Sequence, residues 1–103
     1  MVAIVEKRHE EVQAICAARR VRRLELFGSA ARGQFDPASS DLDFLVEFQP
    51  MPPADHADCY FGLQADLEQL FGVAVELVEP SAIRNPYFRE SVDEARVTIY
   101  AAP

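Results

Sequence analysis

The run from Asp41 to Phe48 constrains most strongly how this chain can fold. In "DLDFLVEF" a large apolar residue occupies every second position, a pattern typical of a β-strand with one buried face. Asp41 and Asp43 share the opposite face, with side-chain origins roughly 6–7 Å apart. The pattern therefore predicts a strand that presents two neighbouring carboxylates.

A second predicted strand, "RRLELF", ends at Gly28 just upstream. The following "SAAR" can form one helical turn with Ser29 at or near its N-cap, and Gly33 is suited to end that turn. A glycine lets a phosphate approach the backbone closely, and the N–H groups and hydroxyl at a helix start can bind it. Gly28 and Ser29 are therefore candidate phosphate-binding residues.

Arg32 follows in the same turn, where a cation opposes the helix dipole and is expected to have an anionic partner. A phosphate and a structural partner, Asp36 or Asp41, explain it equally well.

The remaining segments complete an α/β pattern. A helix is expected over residues 2–20 and another over 54–71, ended by Gly72. Then come a third strand ("VAVELVE"), short helical turns interrupted at Pro86, and an edge strand ("RVTIYA"). This order predicts an α/β (α+β) fold, a small mixed β-sheet flanked by helices, in one domain spanning residues 1–103.

Composition excludes several classes of function. Seventeen acidic residues against ten basic ones give a net charge of −7, which disfavours direct binding to a nucleic-acid backbone. No apolar run approaches the ~20 residues needed to span a membrane, and the charged N-terminus does not resemble a secretion signal. We therefore expect a cytoplasmic protein.

The other chemically notable residues predict no metal site of the zinc type. Cys16 and Cys59 lack CxxC spacing and are expected to be buried thiols, whereas His9 and His56 are expected at the surface. The basic run "RRVRR" is expected to be a solvated helix end, with contact to an acidic partner or a nucleotide as the alternative.

The paired aspartates favour a divalent cation. Two carboxylates held close together repel each other, and Mg²⁺, which prefers hard oxygen ligands, removes that repulsion. Glu76 on the third strand lies beside Asp43 if the second and third strands are neighbours. A solvated glutamate on an alternating strand explains Glu76 equally well.

Together, "GSAARG", "SDLDFLVEF" and "VAVELVEP" resemble the minimal nucleotidyltransferase (MNT) group of the DNA polymerase β-like nucleotidyltransferase superfamily. The resemblance implies a nucleotidyltransferase fold, two bound Mg²⁺ ions and ATP as substrate. Implied nucleotide-binding residues are Gly28, Ser29, Arg32 and Ser40; implied catalytic residues and metal ligands are Asp41, Asp43 and Glu76. Glu76 stands where the family usually has aspartate, and its extra methylene puts the metal geometry or base function there in question.

The resemblance extends to the antitoxins of HEPN/MNT toxin–antitoxin pairs. It implies transfer of AMP from ATP to a hydroxyl, expected to be a tyrosine, of a HEPN ribonuclease toxin within a hetero-oligomer. One alternative is a weakly catalytic or inactive module that neutralises the toxin by contact, which the Glu76 departure favours. Another is nucleotide transfer to a small molecule by a homo-oligomer. A polymerase is disfavoured by the acidic charge.

Overall fold

The computed structural model describes residues 3–33 and 41–103. Over these residues the chain forms, in order, α1 (Ala3–Glu6), α2 (His9–Ala18), β1 (Val21–Phe27), α3 (Gly28–Ala31), β2 (Leu42–Phe48), α4 (Pro53–Phe71), β3 (Val75–Val78), a 3₁₀ turn (Pro80–Ala82), α5 (Pro86–Glu94) and β4 (Val97–Ala101).

The four strands form one sheet in the order β3-β2-β1-β4. Strand β1 is antiparallel to both β2 and β4, whereas β2 and β3 are parallel. The prediction of a small mixed sheet flanked by helices is therefore confirmed, and β4 lies at an edge as expected.

The two faces of the sheet are covered differently. On one face, the alternating residues Leu42, Phe44 and Val46 of β2 pack in the main core, to which α4 contributes Leu63 and Leu67. On the other face, a smaller cluster joins Phe27 and Leu45 to Val92 of α5. Since Asp43 lies on the same face as Leu45, the predicted carboxylates share the face that α5 covers.

Three predicted helix boundaries differ from those observed. The helix expected over 2–20 is divided into α1 and α2, with Val5 and Val12 both fully buried on either side of the break. Arg20, with φ of 56°, turns the chain from α2 towards β1. Pro86 does not interrupt a helix but begins α5, as a proline at the first helical position can.

Other sequence expectations hold. Gly72 ends α4 in the left-handed conformation, with φ of 69°. Cys16 and Cys59 are free thiols and both are buried, and burial raises the pKa of Cys16 to about 12. In the part of the chain that the structure describes, no helix has the length and apolar character needed to cross a membrane.

Candidate active site

The site is built around Asp43, near the start of β2. Antiparallel pairing places Phe27, the last residue of β1, directly opposite Asp43, so their side chains lie on the same face of the sheet. Gly28 follows Phe27 and has φ of +74°, a conformation that side chains rarely adopt. A Cβ atom at position 28 would overlap a carboxylate oxygen of Asp43. Glycine is therefore what allows the Asp43 carboxylate to lie against the backbone of the turn.

Helix α3 starts directly at this turn. Its N-cap is Phe27 and Ser29 is its second residue, so Ser29 lies one step further into the helix than a cap residue. Ser29 is half-buried, and no side chain of residues 3–33 or 41–103 caps the helix. Because the first N–H groups of a helix have no partner within it, the start of α3 leaves donors next to Asp43.

The third predicted carboxylate lies on the other side of Asp43. Strands β2 and β3 are adjacent, and their parallel register aligns Asp43 with Glu76. The structure thus brings Glu76 beside Asp43, as the sequence predicted for neighbouring strands. Asp41 precedes β2 by one residue and is exposed at the rim of the same site.

The three carboxylates interact electrostatically. The pKa of Asp43 is raised to about 6, mainly by burial, then by the charge of Glu76 and a hydrogen bond with it, and lastly by the charge of Asp41. None of the ion pairs among the described residues includes Asp41, Asp43 or Glu76. The site therefore concentrates negative charge that a cation would neutralise.

The donor set fits a hard cation such as Mg²⁺, because all three groups offer carboxylate oxygens. Of the two neighbouring carboxylates, Glu76 has the larger effect on the pKa of Asp43 and Asp41 the smaller one. Among residues 3–33 and 41–103, no three His, Cys, Asp or Glu side chains are close enough together to hold a metal ion.

Arg32 takes a role that the sequence did not predict. Helix α3 is a single turn, so Arg32 is its C-cap and lies at the end where a cation is favourable, not in the first turn. Its guanidinium donates to the carbonyl oxygen and hydroxyl of Ser91 at 3.3 and 3.4 Å and pairs with Glu94 at 3.6 Å. Arg32 thus links α3 to α5, whereas its predicted partner Asp36 and the candidate Ser40 lie outside the described residues.

Sequence reasoning also missed three side chains of α4 that bond to β3. Tyr60, Gln64 and Glu68, here called the α4 polar row, contact backbone atoms of Val75 and Leu77. Their spacing of four residues is visible in the sequence, but the spacing does not show that this side of α4 contacts β3. Only the packing of α4 against β3 shows what the hydroxyl of Tyr60 contacts.

A groove of about 660 Å³ between α2 and α4 is a less suitable candidate site. It contains Ile15 and Leu70 but none of the three carboxylates. Its charged groups are already paired, Arg8 with Glu11 at 3.1 Å and Asp66 with Arg19 at 2.8 Å. The groove therefore offers no converging free polar groups of the kind that a reaction needs.

Comparison with known proteins identifies the family of the chain. The family model described as "Nucleotidyltransferase domain" matches residues 9–99. Two proteins of Methanocaldococcus jannaschii, named "Putative protein adenylyltransferase MJ0128" and "Putative protein adenylyltransferase MJ1379", are 40% and 36% identical over 75 residues. These segments cover 73% of this chain in both cases, and 72% and 73% of the two relatives respectively.

Solved structures show the same fold. One described as "Structure of putative minimal nucleotidyltransferase" has a TM-score of 0.67 and 36% identity, over 89% of each chain. Another, "tri-AMPylated Shewanella oneidensis HEPN toxin in complex with MNT antitoxin", has a TM-score of 0.62 and 13% identity, over 95% of this chain and 73% of the other. At 13% identity the second comparison supports the fold alone.

Proposed function

Because the chain belongs to the nucleotidyltransferase domain family, as its motifs predicted, we propose that it is a Mg²⁺-dependent adenylyltransferase that transfers AMP from ATP to a hydroxyl of a partner protein. The observation that carries this proposal is the position of Asp43, between the glycine turn at Gly28 and the carboxylate of Glu76. That arrangement sets phosphate-binding groups and carboxylates side by side, as phosphoryl chemistry requires.

Asp41, Asp43 and Glu76 are the residues that would hold Mg²⁺. When bound, the metal neutralises phosphate charge and polarises the phosphorus centre. Burial and the charge of Glu76 raise the pKa of Asp43 to about 6, and a cation bound there would offset the repulsion between these carboxylates.

The chain's own groups orient the substrate and accept the proton. Ser29 and the N–H groups at the start of α3 bind the phosphates that leave as pyrophosphate. The acceptor oxygen forms a bond to the α-phosphorus of ATP while the bond from that phosphorus to the bridging oxygen breaks. The hydroxyl proton passes to the carboxylate of Glu76, which is exposed.

The partner is a HEPN-type toxin, and the acceptor is a tyrosine hydroxyl within a complex of the two proteins. Support comes from the fold shared with the MNT antitoxin of the AMPylated Shewanella oneidensis complex and with a toxin–antitoxin solved with AMP-PNP. The names of the Methanocaldococcus jannaschii relatives point to the same protein-directed chemistry.

Mass spectrometry of the reconstituted pair tests this function. The chain is incubated with a HEPN partner, ATP and Mg²⁺, and the intact mass of the partner is expected to increase by whole adenylyl groups. Asp43→Asn should abolish the increase, whereas the control Asp58→Asn, at an exposed position on α4, should leave it unchanged. Equal modification by the Asp43→Asn and wild-type proteins would contradict the mechanism.

A second function, neutralisation of a toxin by contact alone, is favoured by one observation. Within the described residues, the acidic side chains do not form a three-ligand metal cluster. In this case Asp41→Asn and Asp43→Asn proteins would still bind and inhibit the toxin without ATP. Toxin inhibition that depends on both ATP and a divalent metal would exclude it.

A further inference from the structure

We infer that the α4 polar row holds Glu76 in position by binding the free edge of β3, and that Tyr60, Gln64 and Glu68 are therefore positioning residues for the reaction. The inference rests on the proposed function, because it concerns the carboxylate that we assign to the metal and the acceptor proton.

Strand β3 is short and, within the described residues, has a neighbouring strand on one side only. It comprises the four residues Val75–Val78 and, in that part of the chain, pairs with β2 alone. The N–H of Leu42 donates to the carbonyl oxygen of Ala74 at 3.0 Å, so the backbone of Ala74 faces β2. Because backbone groups alternate in direction along a strand, those of Val75 and Leu77 point away from β2 and need other partners.

The α4 polar row supplies those partners. The hydroxyl of Tyr60 donates to the carbonyl oxygen of Leu77 at 2.7 Å, and the side-chain amide of Gln64 donates to the carbonyl oxygen of Val75 at 2.9 Å. The N–H of Val75 donates to a carboxylate oxygen of Glu68 at 3.0 Å. The three side chains are spaced four residues apart and therefore lie along one side of α4. They bond to the backbone groups of β3 that a further strand would otherwise pair with.

These bonds lie on both sides of Glu76 in the chain. Val75 and Leu77 are its immediate neighbours, and both are buried against the helix while Glu76 itself points to the opposite, exposed face. Pairing with β2 sets which residue of β3 is opposite Asp43. The polar row restrains how far the strand edge can move sideways or twist, and so where the Glu76 carboxylate lies relative to Asp43.

A glutamate makes that restraint functionally important. Its side chain is one methylene longer than aspartate, so a small rotation of the backbone produces a larger displacement of its carboxylate. Removal of a group that orients a metal ligand typically lowers metal affinity or activity about 10–100-fold. The α4 polar row orients Glu76 in this way, through the backbone of its neighbours Val75 and Leu77.

Manganese binding by the full chain tests the inference. Tyr60→Phe and Gln64→Met remove one donor each with little change in volume. Their controls are Tyr100→Phe, on the opposite edge strand β4, and Gln69→Met, at an exposed position on α4. We expect calorimetry with Mn²⁺ alone to show affinity about 10-fold lower for Tyr60→Phe and Gln64→Met and unchanged for the controls.

Kinetics give a second readout that a structural role would not produce. At saturating Mg²⁺, the variants of the row should lower kcat while the KM for ATP stays close to wild type, because the phosphate-binding residues Gly28 and Ser29 belong to α3 and not to β3. Glu68→Gln, which keeps an oxygen acceptor for the Val75 N–H, should retain metal affinity that Glu68→Met loses.

Two results would overturn the inference. In the first, Tyr60→Phe and Gln64→Met lose thermal stability but keep the Mn²⁺ affinity and kcat of their controls. In the second, Glu68→Gln and Glu68→Met bind Mn²⁺ with equal affinity. Metal binding is measured without ATP or acceptor. A chain that fails to transfer AMP but shows the expected Mn²⁺ differences would therefore contradict the proposed function and leave the positioning role supported.

Discussion

At the scale of single residues, Asp43 is the carboxylate, among the described residues, whose charge the fold tolerates least. Its pKa rises from an ordinary value of 3.8 to about 6, first because of burial and then because of Glu76. Between roughly pH 4 and 6, Asp43 is therefore protonated in the folded state but ionised in the unfolded state, so stability falls as pH rises through that range. Above about pH 6, the folded state carries the full free-energy cost of burying the charged carboxylate.

Asp43→Asn should therefore stabilise the metal-free protein near pH 8 while removing transfer activity. The gain is no more than about 3 kcal/mol at 1.36 kcal/mol per pKa unit, and smaller because the carboxylate is partly solvated. It should decrease below pH 6 and disappear only below about pH 4, where the carboxyl group becomes protonated in the unfolded state as well. Urea unfolding across this range measures it, with Asp58→Asn as control; a pH-independent difference would contradict the assignment to Asp43.

Gly28 gives a second prediction at this scale. Two other glycines share its backbone conformation but not its contact with Asp43, so the effects of backbone strain and of that contact can be measured separately. Gly28, Gly33 and Gly72 all have φ near +70°, but of the three only Gly28 would bring a Cβ against another described group, the Asp43 carboxylate. Gly33→Ala and Gly72→Ala should each cost about 1–2 kcal/mol of stability from backbone strain alone. Gly28→Ala should cost more and also lower kcat/KM by at least about 100-fold, since it displaces a catalytic group.

Steady-state kinetics and thermal unfolding of the three alanine variants check this comparison. Loss of activity in Gly28→Ala no greater than in Gly33→Ala would show that the turn, and not its contact with Asp43, governs the reaction.

At the scale of elements, Gly62 shows how α4 is fitted to α2. The Arg19 guanidinium, bonded to Asp66 at 2.8 Å, lies where a Cβ at position 62 would be placed. Alanine within a helix normally stabilises by about 1 kcal/mol relative to glycine. Gly62→Ala should therefore give that gain in an Arg19→Ala background but a smaller gain, or a loss, in the wild type. Unfolding free energies of the four proteins form the double-mutant cycle, and equal gains in both backgrounds would contradict the contact.

The elements also show how far sequence can predict this site. Alternation in "DLDFLVEF" and "VAVELVE" predicted that Asp43 and Glu76 lie on strands. In the structure these two strands are adjacent and parallel, and their register aligns Asp43 with Glu76. The strand period predicts which face each residue occupies. The strand order, which the sequence left open, then determines which residues meet.

The contacts of Arg32 and Tyr60 could not be predicted in that way. Arg32 pairs with Glu94, 62 positions along the chain, and Tyr60 bonds to a carbonyl oxygen of β3. Both contacts depend on how α5 and α4 pack against the sheet, which neither propensity nor periodicity specifies. The role of Ser40 stays a prediction, because it lies outside the described residues.

At the scale of the whole molecule, the net charge of −7 sets the conditions under which a nucleotide can bind. ATP is itself strongly anionic, and under the proposed function it would meet the carboxylates of Asp41, Asp43 and Glu76. Repulsion of like charges in a partly desolvated cleft opposes binding. A divalent cation reverses the sign of the interaction locally, so metal and nucleotide should bind cooperatively.

ATP with Mg²⁺ should therefore raise the melting temperature of the chain, whereas ATP with EDTA should not. At a ligand concentration 100 times the Kd, binding adds about 2.7 kcal/mol to the unfolding free energy, a shift that differential scanning fluorimetry resolves. Asp43→Asn should lose most of the MgATP-dependent shift despite its higher metal-free stability, because it lacks one of the carboxylates that the metal requires. A shift of equal size with ATP and EDTA would mean that the nucleotide binds without the carboxylates, and the acidic site would then serve another purpose.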